Sequence, residues 1–239
     1  TELDEMATKK LESIQNAMFR SLLSTPKTTP SSFILWDLGA MKMSNRIIKQ
    51  KLNFFYHLLK LPDNCLAKEI VTVQLINEYP GLAKECREYI EELQLPDITK
   101  HMIKETEWKY KVKLAVNKKN EKELKKEIEK LDKVKEFSSE TFEQKDYFKN
   151  LNLSEARTKF KYRAKMTQYI KRNFRHDQAY TAELWKCDSC KTNIDTQSHM
   201  LWCEAYKELR MDKDLRSDKD LTKYIQEVLD IRMKMNLTK

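Results

Sequence analysis

The sequence predicts an all-α protein, and three observations lead to that prediction. Only two glycines occur in 239 residues, valines are few, and lysine and glutamate are abundant. Strands and their tight turns need the residues that are scarce here. Apolar residues instead recur every three to five positions, as on the buried face of a helix. We expect an N-terminal helical bundle over residues 1–97, a long charged helical linker over 98–153, and a C-terminal part over 154–239 with a basic helix, a cysteine-rich stretch and a last helix.

The N-terminal bundle is predicted to begin with a long helix over residues 1–23, whose apolar stripe needs a packing partner. Prolines and hydroxyl residues then interrupt this helix. Pro30 fits the first turn of a short helix that ends at Gly39, because glycine readily adopts the left-handed conformation that follows a helix. Ser44 is the expected cap of an amphipathic helix over residues 45–61.

Two further helices should complete the bundle, one after Pro62 and one after Pro80. Cys65 and Cys86 fit apolar helical patterns, so we interpret both as core thiols that need no oxidising compartment. His57 also lies among apolar residues, and such a histidine is more often a core or edge residue than a ligand. The first of the two helices should pack through an apolar face made of Leu66, Ile70, Val73 and Ile76.

The predicted linker is rich in lysine and glutamate. Its charges alternate in sign over residues 99–137, which is the pattern of a solvated helix face, with a break near 117–120. Trp108 is the largest of the scattered apolar residues on this helix. A polar junction follows, with a short helix that carries Tyr147 and Phe148. We expect this region to connect the two ends of the chain.

A strongly basic helix should follow, capped by Ser154. Residues 156–175 contain eight lysines or arginines and no acidic residue. Such a face repels itself unless a polyanion covers it, and the net charge of +9 agrees in sign. The alternatives are a merely solvated face, or cations paired with acidic residues elsewhere, such as the glutamates of the linker. The predicted nucleic-acid contacts are Arg157, Lys159, Lys161, Arg163, Lys165, Lys171, Arg172 and Arg175, with Tyr162 and Tyr169 available to stack on bases.

The stretch CDSCKTNIDTQSHMLWC has the spacing of one closed tetrahedral metal site. A tight turn can direct the first two sulfurs toward one point. The histidine and the last cysteine are four residues apart, so a helix capped by Asp195 or Thr196 would place them on one face. Thiolate and imidazole favour one structural zinc ion; the alternative is ordinary buried cysteines with a histidine nearby by chance. The predicted ligands are Cys187, Cys190, His199 and Cys203.

The remaining sequence adds limits on function. The metal helix is expected to continue through Leu209, and a last helix should begin at Ser217 with Asp220 in a capping box. No set of acid, base and nucleophile converges, which gives an independent enzyme little support. No apolar run approaches the ~20 residues of a membrane span, so we expect an intracellular protein, nuclear or cytoplasmic, with no membrane partner. The start at Thr1, without methionine, favours a segment of a longer polypeptide.

Two stretches resemble the reverse transcriptases of non-long-terminal-repeat retrotransposons. The run RSLLSTPKTTPSSFILWDLGAMKMSNRIIKQKLNFFYHLLKLP, at residues 20–62, is similar to the region after the polymerase palm in that class, the thumb and its continuation. The cysteine motif ending in HMLWC resembles the zinc knuckle near the C-terminus of the same proteins. The resemblance covers the chain from about Asn16 to Tyr206. It implies a thumb that grips template and primer, a linker, and a knuckle that holds RNA or DNA.

This chain departs from that class in one respect, and the departure limits the function that the resemblance implies. The catalytic aspartates of these enzymes form an adjacent pair in the palm, and this sequence contains no adjacent aspartates. The expected function is therefore that of a non-catalytic, nucleic-acid-binding portion, with RNA or DNA as partner and a polymerase palm in cis. The alternative is a domesticated structural or protein-interaction subunit of a larger assembly, which would use helical faces and exposed aromatics such as Trp108 and Trp202.

Overall fold

The computed structural model describes residues 2–167 and 185–237, with side-chain positions for 5–167 and 185–235. Helices and turns make up these ranges, which contain two isolated β-bridges and no strand. The predicted all-α class is confirmed. The helices are α1 (Glu2–Leu23), α2 (Ser31–Asp37), α3 (Met43–Lys60), α4 (Leu66–Asn77), α5 (Leu82–Glu92), α6 (Glu105–Glu129), α7 (Tyr147–Asn150), α8 (Leu153–Arg163), α9 (Gln197–Trp202), α10 (Lys207–Arg210) and α11 (Asp218–Leu237).

The chain divides into two compact units, each assembled from two stretches of sequence. The first unit contains residues 1–16 and 41–126, and the second contains 17–40 and 127–239. This grouping by contacts differs from the three consecutive segments expected from composition. Both α1 and α6 contribute residues to each unit.

The core of the first unit includes the helix that was expected to be a linker. Trp108 is fully buried among residues of α3 and α5, and its indole N–H donates to the carbonyl of Leu52 at 3.3 Å. The ring of Tyr56 stacks on it at 5.9 Å between centroids. The interpretation of Trp108 as an exposed contact residue is therefore wrong. One face of α6 is apolar enough to be buried, although its overall composition is charged.

Helix α6 is continuous where a break was expected. Asn120 lies within it, fully buried, and its side-chain oxygen accepts from the backbone N–H of Lys42 at 2.9 Å and from the side chain of Asn45 at 3.2 Å. These bonds also account for the start of α3, where Lys42 and not Ser44 is the N-cap residue. The oxygen of this buried amide is therefore satisfied by the start of α3, whereas its Nδ2 has no hydrogen-bond partner among the described residues.

Two apolar stripes that were expected to face the core are exposed instead. On α4, Val71 is buried, whereas Leu66 is 69% and Ile76 is 74% exposed. On α1, Ile14 is 65% and Met18 is 57% exposed. Apolar residues are distributed around α4 with little preference for one face, so its pattern alone did not identify the face that packs against α3 and α5.

The second unit contains an aromatic core around α2. Phe33 and Trp36 are fully buried, and the ring of Phe33 lies 5.6 Å from that of Phe160. Gly39 has a φ of +60°, as expected for the residue after the helix. A Cβ atom there would collide with the backbone of Gln144, so the close approach of two chain segments also requires glycine.

Candidate metal centre and basic helix

Four side chains converge as the cysteine motif predicts. One ligand atom from each of the four lies within 4.8 Å of the others. The Sγ atoms of Cys187 and Cys203 are 3.9 Å apart, and Nε2 of His199 lies 3.3 Å from Sγ of Cys190. A tetrahedral zinc ion with its usual bond lengths would separate two sulfurs by about 3.8 Å, and a sulfur from a nitrogen by about 3.6 Å. The cluster therefore fits a metal ion of this size.

A tight turn positions the first two ligands. The backbone N–H of Cys187 donates to the carbonyl of Asn193 at 2.8 Å, and that of Lys191 donates to the carbonyl of Cys187 at 2.9 Å. Lys191 has a φ of +60°, which reverses the chain between these bonds. The turn directs the sulfurs of Cys187 and Cys190 toward the start of α9, as the two-residue spacing predicted.

Helix α9 supplies the histidine but ends before the last cysteine. The hydroxyl of Thr196 accepts from the backbone N–H of His199 at 2.9 Å, so Thr196 is the cap. Cys203 follows the helix with a ψ of 127°, and a single 3-10 turn, Glu204–Tyr206, comes next. The prediction of a helix that continues through the cysteine to Leu209 is therefore wrong. The change of direction at Cys203 brings its sulfur back to the cluster.

The thiols of the cluster ionise unequally. Burial raises the pKa of Cys203 to about 12, and the nearby Cys187 and Cys190 add to this effect. Burial also raises the pKa of Cys190, but hydrogen bonds from the backbone of Asn193 and from Thr192 outweigh it and set the pKa at about 6. Thiolates this close repel one another, and a bound cation removes the repulsion.

The three cysteines of the cluster belong to a hydrophobic core of the second unit. Cys187, Cys203 and Met200 are fully buried and pack with Tyr224 and other residues of α11. The hydroxyl of Tyr224 donates to the carbonyl of Met200 at 2.7 Å. The turn, α9 and α11 therefore share one hydrophobic core. The motif by itself did not indicate this.

The basic helix differs from its prediction at both ends. Asn152 caps α8 in a capping box with Glu155, two residues before the expected Ser154. The helix ends at Arg163, because Lys165 has a φ of +52° and the backbone N–H of Met166 donates to the carbonyl of Lys161. A continuous helix from residue 154 to 175 is therefore wrong.

Three of the predicted phosphate contacts are paired with carboxylates. Lys159 lies 2.7 Å from Asp218, and Lys165 lies 3.1 Å from Glu136. The guanidinium of Arg163 is largely buried and pairs with the carboxylates of Asp37 and Glu140. The premise of an unneutralised row is wrong for these three residues. The partners come from distant parts of the sequence, so a local count of charges did not reveal them.

Arg163 occupies a buried ionic network that the sequence did not predict. Its guanidinium lies 2.9 Å from the carboxylate of Asp37, which is fully buried, and 2.6 Å from that of Glu140. The hydroxyl of Tyr147 donates to Asp37 at 2.5 Å. Burial raises the pKa of Asp37, and the charge of Arg163 opposes the rise. The network ties α2, α7 and α8 together and has a structural role.

The other predicted contacts have different surroundings. Nε of Arg157 donates to the carbonyl of Leu22 at 2.7 Å, and Lys161 is half-buried beside it, with its pKa lowered by burial. The ring of Tyr162 is partly buried against the hydrophobic cluster that contains Cys187, Cys203 and residues of α11, which we call the metal module, so its access for stacking is limited. Trp202, next to the ligand Cys203, is 68% exposed. Tyr169, Lys171, Arg172 and Arg175 lie outside the described residues.

The end of the basic helix is attached to the metal helix. The side-chain amide of Gln197, in the first turn of α9, donates to the carbonyl of Tyr162 at 2.6 Å. The hydroxyl of Thr167 lies 3.4 Å from the side-chain oxygen of Gln197. The remaining predicted cations thus come, in sequence, directly after a segment that is hydrogen-bonded to α9.

Comparisons with protein-family models, with curated proteins and with solved structures find no match to this chain. Within 2–167 and 185–237, none of the helices combines the length and the apolar character that crossing a bilayer requires. All five cysteines are free thiols.

Proposed function

We propose that this chain is a non-catalytic, nucleic-acid-binding portion of a retrotransposon-type reverse transcriptase, with one structural zinc ion. The resemblance of residues 20–62 and of the cysteine motif to that class supports the proposal. So does the set of four ligands, since thiolate and imidazole favour zinc over harder cations. With four protein ligands no position stays open for a reacting water, and the ion would hold the turn and α9 together.

The hydrogen bond between α9 and the end of the basic helix α8 is the observation on which the nucleic-acid part of the proposal depends. Gln197 holds the backbone at the end of α8 beside the first turn of α9. Lys171, Arg172 and Arg175 follow this attachment in the sequence, and the metal module presents the exposed ring of Trp202. Cations that contact phosphates and an aromatic ring that stacks on a base are the usual combination for single-stranded nucleic acid. RNA and DNA are both suitable partners.

An intracellular location, nuclear or cytoplasmic, is part of this proposal, because a reducing compartment keeps zinc-binding thiols free. A polymerase palm in cis would supply the catalysis that this chain lacks.

Elemental analysis of the purified chain tests the metal centre. We expect about one zinc per chain, and its loss in Cys190→Ala or His199→Ala, together with loss of folding of the C-terminal part. Cys65→Ala is the matched control, because it removes a thiol at the start of α4, outside the cluster, and should retain the metal. Purified protein that is folded and contains no metal would contradict the assignment.

The salt dependence of binding tests the nucleic-acid proposal. Fluorescence anisotropy with labelled single-stranded RNA should give a slope of log K against log salt that falls by about 2 when Lys171, Arg172 and Arg175 are changed to glutamine, since each phosphate contact contributes roughly 0.7. The control changes Lys109, Lys113 and Lys118 to glutamine, which removes the same charge from exposed positions on α6. Equal slopes for the two triple variants would contradict the proposal.

A protein-interaction role is the second candidate, and the exposed stripe on α4 favours it. Its aliphatic side chains lie on the face opposite Val71, and large apolar patches on a surface often mark protein contacts. In that case Leu66→Ser with Ile76→Ser should abolish a defined protein complex or self-association, and should leave RNA affinity unchanged. Reduced RNA affinity in this variant would argue against separate roles.

A further inference from the structure

The metal cluster has a basic neighbour that the motif does not contain. Arg232 of the last helix is 4% exposed, and Nη2 of its guanidinium lies 3.5 Å from Sγ of Cys187. Nη1 donates to Asp195 at 2.8 Å, and Nε donates to the hydroxyl of Tyr206 at 3.0 Å. Arg232 is 29 residues beyond the last ligand, so no local pattern connects it with the site.

Acceptors on three different residues fix the orientation of the Arg232 guanidinium. Asp195 follows the metal turn and is 1% exposed, and Tyr206 lies in the 3-10 turn after Cys203. Tyr206 also forms a short hydrogen bond with Ser189, which lies between the first two cysteines. The planar fork of arginine matches such a set of acceptors, and the shorter ammonium of lysine does not. The side chain is therefore held in place from both sides of the cluster.

The negative charges around the cluster explain why a cation such as Arg232 is favourable there. Three thiolates, a neutral imidazole and a divalent ion sum to one negative charge, because three negative charges are offset by two positive ones. The carboxylate of Asp195 adds a second negative charge beside the site. Arg232 places a positive charge beside these negative groups in a buried environment, where an uncompensated charge costs most.

We propose that Arg232 is a positioning residue of the metal centre, which donates a hydrogen bond to the coordinated sulfur of Cys187 and docks the last helix on the site. This inference rests on the zinc ion proposed above. A hydrogen bond to a thiolate withdraws electron density from the sulfur, and such partners of metal ligands tune both the affinity and the reactivity of a site.

The contact makes the last helix depend on the metal. Helix α11 packs on the ligands through Tyr224, Ile225 and Val228, and it is linked to α8 through Lys159 with Asp218. Gln226 of α11 also donates to Thr158 of α8 at 3.2 Å. A metal-bound sulfur that holds Arg232 therefore influences the position of the basic helix through α11.

Cobalt substitution in the full chain tests the proposal, because Co²⁺ reports on its sulfur ligands. In Arg232→Met the charge-transfer band from sulfur to cobalt should move to lower energy, since a thiolate without the hydrogen bond is easier to oxidise. Zinc affinity, measured by competition with a chromophoric chelator, should fall by about 10- to 100-fold.

Arg163→Met is the matched control, because it also removes a buried arginine of the second unit that binds carboxylates. It should lower stability and leave the charge-transfer band of the wild type unchanged. An unshifted band in Arg232→Met, with wild-type zinc affinity, would overturn the role of Arg232 and leave the zinc site intact. Failure of the wild type to bind zinc or cobalt would overturn the metal centre itself.

A measurement on the wild type applies if Arg232→Met does not fold. In ¹⁵N-edited NMR spectra of the zinc protein, the guanidinium protons of Arg232 should give resolved signals, which require slow rotation. They should shift when cadmium replaces zinc, because the bonded sulfur then carries a different charge. Averaged signals that do not depend on the metal would refute the contact.

Discussion

Arg163→Met should destabilise the second unit strongly through the carboxylate of Asp37. That carboxylate is fully buried, and its charged partner is the guanidinium 2.9 Å away. Removal of one member of a buried pair typically costs about 3–5 kcal/mol, because the other charge stays buried without a partner. We expect a loss of unfolding free energy in that range at neutral pH, measured by urea denaturation with zinc in excess.

The pH dependence of this loss identifies its cause. Burial raises the pKa of Asp37, and Arg163 opposes the rise, so removal of Arg163 should raise the pKa further. A carboxyl group with a higher pKa in the folded state binds more protons there than in the unfolded state. Stability of the variant, relative to the wild type, should therefore recover as the pH falls through the folded pKa, and should be lowest above it.

Lys165→Gln is the control for this experiment. It removes a cation two residues further along the chain, whose partner Glu136 is 58% exposed in its side chain. A solvated pair of this kind contributes less than about 1 kcal/mol. If Arg163→Met cost no more than Lys165→Gln, or if its cost did not change with pH, the buried charge of Asp37 would not be the cause.

Three further predictions concern single side chains. With zinc bound, alkylation should modify Cys65 rapidly; after chelation the three ligand cysteines should react as well, whereas Cys86 should stay protected, because burial raises its pKa to about 12. Gly39→Ala should cost at least about 1–2 kcal/mol in a denaturant titration, since the position has a φ of +60° and a Cβ atom would meet the backbone of Gln144. Trp202→Ala should weaken binding of single-stranded RNA by about 1–3 kcal/mol in anisotropy titrations and leave the zinc content unchanged, as expected for a ring that stacks on a base.

The sequence predicted the metal cluster because its ligands are close in the chain. Cys187 and Cys190 are joined by a turn whose geometry is local, and the cap at Thr196 is likewise determined by its neighbours. The position of Cys203 after the helix was not predicted. Spacing alone does not distinguish a helical cysteine from one that follows a change of chain direction.

The basic segment shows the limit of local charge counting. Residues 156–175 contain eight cations and no acidic residue, but Lys159 and Arg163 pair with carboxylates that are 59 and 126 residues away in the chain. Similarly, the charged neighbours of Trp108 indicate a solvated helix, but its side chain is fully buried. In both cases a partner distant in sequence decided the environment.

The sequence by itself determined the all-α class, most helix positions and the four candidate metal ligands, because these depend on local spacing, propensity and capping. Tertiary structure alone decided which apolar stripe is buried, which cations are neutralised and which arginine lies against Cys187. These outcomes depend on contacts between segments that are far apart in the chain, and desolvation at those contacts sets the energy of each charge.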